Sequence, residues 1–276
     1  PTAMVCMVLL GIIIVMSIVV PMVSPFTMSE QHYDHMNMDG YFVANPGTEQ
    51  EHVHIFGTDG LGRVIFTRIW QGGRVSLIIG FAAAFINLII GVTYGAISGY
   101  VGGKVDNVMM RIVEIINGVP YLLVVILLRL ILKEGGEVNV ILALAAVGWI
   151  GMARLARGQV MGLKEQEFVV AVKALGAKPG RVIARHLVPN ILSVVIVNLT
   201  LSIPSAIFTE AFLSFIGLGV AIPKASWGSL AQDGAQTLLA FPLRLLWPAL
   251  FISITMLCFN LLGDALRDAF DPRLRR

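Results

Sequence analysis

Residues 153–189 decide the fold, and they read ARLARGQVMGLKEQEFVVAVKALGAKPGRVIARHLVP. The segment carries seven Lys or Arg residues against two Glu residues, and it lies between long apolar runs. Loops rich in Lys and Arg remain on the cytoplasmic side of membrane proteins. The pattern therefore predicts a cytoplasmic loop between two membrane spans, large enough to contact a soluble protein.

The composition of the whole chain predicts a membrane protein. Hydrophobic residues make up 57% of the 276 residues and charged residues only 13%, whereas soluble domains carry roughly 25% charge. This composition excludes an ordinary soluble enzyme, and the net charge of +3 gives no reason to expect nucleic-acid binding. Cys6 and Cys258 lie inside apolar runs without a spacing motif, so we predict free thiols that act as small apolar side chains.

Six apolar runs predict an all-α polytopic membrane protein with six transmembrane helices, since a helix needs about 20 residues to cross the hydrocarbon. The runs are residues 4–23, 75–103, 115–128, 138–153, 187–209 and 245–263. The first run is too long for a signal peptide and lacks a small-residue cleavage site. Because the chain begins at Pro1 rather than at Met, we expect a cytoplasmic tail to precede it.

The distribution of Lys and Arg predicts the orientation. With the amino terminus inside, the inner regions hold thirteen of the twenty basic residues: two in 104–111, seven in 154–186 and four from Arg267 onward. The outer regions hold six. The positive-inside rule then places both termini in the cytoplasm. The sequence therefore predicts a multi-pass protein of the cytoplasmic (inner) membrane.

This topology divides the chain into four parts. Residues 1–24 are an amino-terminal transmembrane helix, 25–73 an extracytoplasmic segment, 74–266 a core of five transmembrane helices and 267–276 a cytoplasmic tail. Within the core, 154–187 is the basic cytoplasmic loop. Residues 214–244 form a second extracytoplasmic segment that we expect to contain a short re-entrant or interfacial helix.

Enzyme motifs are missing from the sequence, so no catalytic residue is predicted. There is no HExxH and no GxSxG. The glycine-rich stretch GYVGGK at 99–104 has Ser98 in place of the first P-loop glycine and Val105 in place of the magnesium-binding Ser or Thr. We interpret it as a turn at a membrane exit, and any ATP hydrolysis must come from another polypeptide.

Four histidines outside the membrane are the only hint of metal chemistry. They are His32, His35, His52 and His54. His52 and His54 would share one side of a strand, and imidazoles bind borderline transition metals. No Cys or close carboxylate pair completes a site, so we predict no metal site here.

Polar groups within the spans suggest either a passage or buried partners. We take Glu210, Asn198 and Pro204 in the fifth span as candidates for lining a passage, with a buried partner as the alternative for Glu210. Arg111 and Glu114 lie three residues apart and should pair on one helix face. Pro120, Pro204 and Pro248, together with Gly91 and Gly95, predict bent or closely packed helices.

The basic loop resembles the EAA loop of permease subunits in bacterial ATP-binding-cassette (ABC) importers. Ala171, Gly176 and Pro189 occupy matching positions, and the Gly-to-Pro spacing of thirteen is intact. The loop departs from the pattern at four positions, Val170, Val172, His186 and Val188.

Four further motifs resemble those of the peptide/nickel permease family. They are HIFGTDGLGR (54–63), TEAFLSFIGLG (209–219), ASWG (225–228) and NLLGDALRD followed by DPR (260–268 and 271–273). Val64 departs from the usual Asp of the first motif. The resemblance covers nearly the whole chain and is greatest to the C-type permease subunit of oligopeptide and dipeptide importers.

The resemblance implies a type I ABC importer permease fold and a set of partners. These partners are a homologous B-type permease subunit, two ATPase subunits that bind ATP and magnesium, an extracytoplasmic peptide-binding protein and the lipid bilayer. This chain itself would bind no cofactor and would form half of the pathway for oligopeptides. The alternatives are the same machinery with nickel, metal chelates or dipeptides as cargo, an intramembrane enzyme, or a scaffold subunit.

The resemblance also implies that residues 167–180 form a coupling helix seated in an ATPase. The implied coupling residues are Glu167, Phe168, Ala171, Lys173, Ala174, Leu175, Gly176, Ala177 and Pro189. We expect Phe168, Val169, Val172 and Leu175 to form its apolar face. Lys164, Lys173 and Lys178 would form a basic fringe that meets the ATPase or anionic lipid. Gly176 and the Pro179–Gly180 pair should end the helix.

Overall fold

The computed structural model describes residues 2–38, 40, 42–44, 52–132, 136–220 and 223–270. Within these ranges the chain is almost entirely helical. The helices are α1 (Thr2–Val23), α2 (Ile65–Val101), α3 (Gly103–Asn117), α4 (Tyr121–Leu132), α5 (Glu137–Leu163), α6 (Glu167–Ala174), α7 (Pro179–Val182), α8 (Val188–Phe215), α9 (Trp227–Gln236) and α10 (Leu243–Phe270). A 3₁₀ turn (Tyr33–His35) and a two-stranded antiparallel ladder of β1 (Phe42–Ala44) and β2 (His52–His54) precede α2.

Five helical segments in the described residues are long and apolar enough to cross a membrane, and a bent pair can serve as a sixth span. The five are α1, α2, α5, the continuous segment Pro179–Phe215 and α10. A π-helical turn at Ile183–Leu187 joins α7 to α8 within that continuous segment. The prediction of an all-α polytopic membrane protein is confirmed.

The third span departs from the sequence prediction of one helix over 115–128. It consists of α3 and α4, which meet at an angle of 82°. The break falls at Gly118–Pro120, where Pro120 has no N–H for the helix ladder and disfavours helical geometry at Val119. Pro120, two residues after Gly118, therefore bends this segment, as a proline within a span predicts.

Two helix boundaries also extend beyond the predicted runs. Helix α2 begins at Ile65, so its first nine residues lie in the polar segment that the sequence assigned to 25–73. Helix α5 continues to Leu163, so residues 154–163 of the basic segment extend a span rather than form a loop. Both extensions contain arginines, which apolar-run analysis excludes from a span.

The centre of the bundle is the contact between α2 and α5. Gly91, Gly95 and Gly99 lie one helical turn apart and face α5 directly. A Cβ atom added at Gly91 would lie 2.8 Å from the Trp149 carbonyl oxygen, and one at Gly99 would lie 2.7 Å from that of Arg157. The predicted close approach at Gly91 and Gly95 is confirmed, and small residues allow such packing in membranes.

Helix α9 closes one end of the bundle, which we call the α9 end. A capping box begins the helix, with Ser226 and Ser229 bonded reciprocally through side chain and backbone. The Trp227 ring is fully buried and its Nε1 donates to the Ile69 carbonyl oxygen at 3.0 Å. A short helix within the 214–244 segment is therefore present, anchored by one tryptophan.

The opposite end, which we call the α6 end, holds the carboxyl end of α2, α6 and α7. Apolar side chains from four segments form one buried cluster here, including Val160, Val169, Val182, Leu187 and Ile191. A separate cluster joins α1 to α2 and α10 and contains both cysteines, which are free and buried as predicted.

Candidate functional site

The predicted coupling segment, at the α6 end, consists of an eight-residue helix followed by a tight turn. Helix α6 spans Glu167–Ala174, and Gly176 adopts a φ of +80° directly after it. The Ala177 N–H donates to the Val172 carbonyl at 3.2 Å and the Gly176 N–H to the Lys173 carbonyl at 3.0 Å. This is a Schellman motif, which favours glycine at the left-handed position, and it confirms Gly176 as the helix end. The predicted extent of 167–180 is wrong, because Pro179 and Gly180 begin the next helix, α7.

The chain then reverses into the next span through a second local signal. Pro179 occupies the first position of α7, where its missing N–H costs nothing. The helical segment continues from there to Phe215. Helix α6, the turn and the fifth span are thus connected by only a few residues.

The apolar side chains of α6 divide between two faces, which corrects the predicted apolar face. Val169 is 0% exposed, and Val172 packs against the same buried cluster at the α6 end. The apolar side chains that point away are Phe168 (41% exposed), Val170 (53%) and Leu175 (88%). Val169 and Val172 therefore anchor α6 to its own chain, and the three exposed apolar side chains are available for contact.

The remaining predicted coupling residues lie mostly on the surface. Glu167, Ala171, Lys173, Ala174, Gly176 and Pro189 are exposed, and Ala177 is half-buried. The Lys173 Nζ atom lies 5.0 Å from the centre of the Tyr100 ring, within the range of a cation–π contact. This contact ties the exposed side of α6 to the end of α2.

A buried ionic network that the sequence analysis missed lies beside α6. Arg157 donates from Nε and Nη2 to the two carboxylate oxygens of Asp106, each at 2.5 Å. The Ser98 hydroxyl also donates to Asp106, and the Lys164 Nζ donates to the Gly99 carbonyl oxygen at 2.9 Å. The network joins α2, α3 and α5 where the coupling segment begins.

Glu210 does not line a passage in this structure. Its side chain is 0% exposed and accepts hydrogen bonds from Ser76 at 2.8 Å and Ser214 at 2.7 Å. Ser76 also accepts from the Trp227 N–H at 3.2 Å. The Glu210 carboxylate therefore links α2, α8 and α9 through buried hydrogen bonds. This is the alternative in which Glu210 has buried partners instead of lining a passage.

The two other pathway candidates have different environments. Pro204 is buried within the chain, so it does not line a passage in this conformation. Asn198 is partly exposed on α8 and remains a candidate. Arg111 and Glu114 form the predicted ion pair, with Nη1 of Arg111 2.8 Å from the carboxylate.

An ionic cluster at the α9 end holds the FGTD motif in place. Asp59 accepts from Arg63 Nε at 2.7 Å and from Arg68 Nη1 at 2.5 Å, and Arg68 Nη2 lies 3.4 Å from Asp233. Burial of Asp59 opposes its ionisation. The charge of Arg68 and the backbone N–H groups of Arg63 and Leu61 outweigh this effect and hold the pKa of Asp59 below its ordinary value.

Three of the four histidines predicted to lie outside the membrane, His32, His35 and His54, have neighbouring rings. The His54 ring lies 6.5 Å from that of His32 and 6.4 Å from that of His35, centre to centre. The side chain of His52 lies outside the described residues. Among those described, no group of three or more His, Cys, Asp or Glu side chains is arranged to hold a metal ion.

The architecture defines a class of membrane permease. A chain of the inward-facing MetNI methionine ABC transporter has a similar fold, with a TM-score of 0.60, 17% sequence identity and coverage of 73% of this chain and 95% of that chain. The fold is that of a type I ABC importer permease.

Sequence comparison establishes the family. Residues 91–276 match the model of the binding-protein-dependent transport system inner membrane component, and residues 1–40 match the N-terminal transmembrane domain of oligopeptide transport permease C. The chain belongs to this family of ABC importer permeases.

Three relatives cover nearly all of the chain. The dipeptide transport system permease protein DppC of Bacillus subtilis is 48% identical over 99% of this chain and 82% of its own length. The oligopeptide transport system permease protein OppC of the same organism is 49% identical, with coverage of 99% and 86%. OppC of Escherichia coli is 42% identical, with coverage of 99% and 87%.

Proposed function

We propose that this chain is the C-type permease subunit of a peptide importer and forms half of its translocation pathway. The proposal of a peptide cargo rests on one observation: relatives with 48% and 49% identity over 99% of the chain are dipeptide and oligopeptide permeases. The proposed partners are a homologous B-type permease, two ATPase subunits that bind ATP and magnesium, and an extracytoplasmic peptide-binding protein.

The coupling segment is the proposed ATPase contact. Phe168 and Leu175 lie seven residues apart, on the same side of α6 and of the turn that follows it, and both are exposed apolar side chains. Exposed apolar side chains grouped in this way mark an interaction site. On its other face Val169 is locked into the chain's own core. A displacement of α6 by the ATPase would therefore move its own spans with it instead of bending a free loop.

The network around Asp106 supports this role. Because it connects α2, α3 and α5 beside the coupling segment, it would transmit movement of α6 to three helices together. Closure of the ATPase dimer would then shift the permease helices as a rigid group. Such rigid-body motion is a recognised way of exposing a site alternately to two sides.

The proposed topology places the α6 end and both termini in the cytoplasm. Segments 25–73 and 214–244 then lie outside, with the ionic cluster of Asp59, Arg68 and Asp233 on the side that receives the binding protein. Asn198 is the remaining candidate for contact with cargo.

The test is co-expression with the genes encoded beside this chain, followed by purification in nanodiscs. Mass spectrometry would identify the partners, and ATP hydrolysis would be measured with the binding protein empty, loaded with dipeptide, loaded with a longer peptide or loaded with nickel. Peptide-stimulated hydrolysis in a complex of two permeases and two ATPases supports the proposal. Stimulation by nickel alone would replace peptide with metal as cargo.

A further inference from the structure

Arg74 is a charged residue in the first third of α2 without a partner in the described structure. Its side chain is exposed, and it forms no ion pair or hydrogen bond with any residue that the structure describes. Four other arginines at the α9 end are engaged. Arg63 and Arg68 bind Asp59, Arg129 donates to the Gly217 carbonyl oxygen, and Arg244 donates to the Thr58 carbonyl oxygen.

The depth of Arg74 follows from the crossing of α1 and α2. A Cβ atom added at Gly73 would lie 2.9 Å from the Ser17 hydroxyl oxygen, so Arg74 is level with Ser17. Six residues separate Ser17 from the end of α1 at Val23, which corresponds to roughly 9 Å of helix. Helix α1 is about 33 Å long by the same rise per residue, which matches a hydrocarbon core.

An unpaired cation at this depth is costly unless it reaches the interface or a counter-ion. Arginine side chains extend toward the headgroup region while their methylene stems stay in apolar surroundings. Phosphate is the anion at that level of a bilayer, and the guanidinium fork suits it.

A groove of about 490 Å³ opens beside Arg74 between α1 and α2. Apart from Arg74 and Ser17, its lining is entirely apolar: Ile14, Ile18, Leu77, Ile78 and Phe81. A cation at the rim of an apolar groove complements a molecule with a phosphate at one end and a hydrocarbon chain at the other.

We propose that this groove binds one glycerophospholipid from the leaflet at the α9 end. The lipid phosphate accepts hydrogen bonds from the Arg74 guanidinium, and one acyl chain lies along Ile14, Ile18 and Phe81. The site would fix the position of α1 against α2 independently of cargo.

A second groove offers an internal comparison. It has a volume of about 540 Å³, lies beside α1 and α2 nearer Val23, and is lined by apolar residues with Ser24 and Thr67 but no charged residue. Without a cation it should exchange lipids freely and without preference for the headgroup.

The test uses the complete transporter in nanodiscs of phosphatidylcholine with a minority of phosphatidylglycerol, followed by native mass spectrometry. Phosphatidylglycerol is a net anion, whereas the choline of phosphatidylcholine cancels its phosphate charge, so an arginine favours phosphatidylglycerol. Arg74→Gln should therefore reduce retention of phosphatidylglycerol roughly five-fold, the effect of one basic residue near a membrane surface. Arg74→Lys should keep much of it. Arg111→Gln is the matched control, because Arg111 is exposed but already paired with Glu114.

A groove-filling variant makes the test independent of charge. Ile78→Trp keeps Arg74 and should also lower lipid retention. Equal retention by the wild type and Arg74→Gln would overturn the proposal, as would displacement of the lipid by inorganic phosphate. A cross-link from Arg74→Cys to a partner chain that excludes lipid would overturn it too. None of these outcomes depends on which cargo is transported.

Discussion

Arg157 in α5 donates two parallel hydrogen bonds to Asp106 in α3, each 2.5 Å long. Such bidentate pairs fix geometry as well as charge. Asp106 is buried and also accepts from Ser98 of α2, so three helices converge on one carboxylate. The pair lies beside the predicted coupling segment, from which we propose that movement of α6 passes to the membrane helices.

Replacement of Arg157 by Lys should weaken coupling, because an ammonium cannot reproduce the planar fork. We expect roughly 1–2 kcal/mol of lost stability, less than for a fully buried pair because Arg157 is partly exposed. Cargo-stimulated ATP hydrolysis should fall while the complex still assembles. The control is Arg154→Lys, an exposed arginine one turn away. Indistinguishable behaviour of the two variants would contradict a role for the pair.

Gly176→Ala should destabilise the end of the coupling helix by about 1 kcal/mol, because alanine is strained at a φ of +80°. Gly180→Ala is the matched control. Both glycines have open space around a Cβ atom, and only Gly176 has a positive φ. Peptide-stimulated ATP hydrolysis in proteoliposomes measures the effect. A loss of equal size in both variants would refute the conformational explanation, and the bulkier Gly176→Trp should block ATPase docking outright.

Gly95→Ala should lower the thermal stability of the purified transporter by about 1–3 kcal/mol, the usual cost of overpacking a tight contact. The added methyl group would collide with the Ala153 carbonyl oxygen across the α2–α5 contact. Gly151→Ala lies in the same region of α5 with nothing within 4 Å of its Cβ position. It should be neutral or slightly stabilising in the same melting experiment.

Glu210→Ala should destabilise the chain more than Glu210→Gln. Alanine leaves the hydroxyls of Ser76 and Ser214 without their buried acceptor, at about 1–3 kcal/mol for each unsatisfied group. Glutamine retains one acceptor oxygen. Thermal unfolding and the range of transported peptides should be measured together. A changed peptide preference in a stable Glu210→Gln transporter would revive a pathway role for this residue.

Acid should weaken the cluster at the α9 end. The folded-state pKa of Asp59 is lowered, so its ionisation stabilises the fold at pH values above the ordinary Asp pKa. That contribution is lost as the pH falls through the lowered pKa of Asp59. Asp59→Asn should lower thermal stability at pH 7 and flatten its dependence on acid. An unchanged pH profile in the variant would contradict the assignment.

Local sequence patterns predicted most of the helices and part of the geometry of the proposed coupling segment. Apolar runs located the spans, and Gly176 and Pro179 marked the turn correctly. The sequence did not predict that α2 begins at Ile65, because charged residues such as Arg68 are excluded from an apolar run. In the folded chain Asp59 neutralises Arg68, and this contact cannot be seen in the sequence.

The inward and outward faces of α6 could not be separated from sequence. The apolar residues of this eight-residue helix are distributed around its whole circumference. Their spacing therefore does not indicate which of them pack against the chain's own core. The Asp106–Arg157 pair was missed for a similar reason. Its partners lie 51 residues apart, and Arg157 counted only as one more basic residue of the cytoplasmic loop.

Retention of the ATPase subunits by a Leu175→Asp variant tests the coupling account most directly. Leu175 is 88% exposed on the proposed contact face, and Leu239 at the α9 end is fully exposed and serves as the control. We predict that Leu175→Asp loses roughly nine-tenths of its co-purified ATPase, the effect of about 1.4 kcal/mol, while Leu239→Asp loses none. Full ATPase retention by a folded Leu175→Asp permease would contradict the assignment of α6 as the coupling helix.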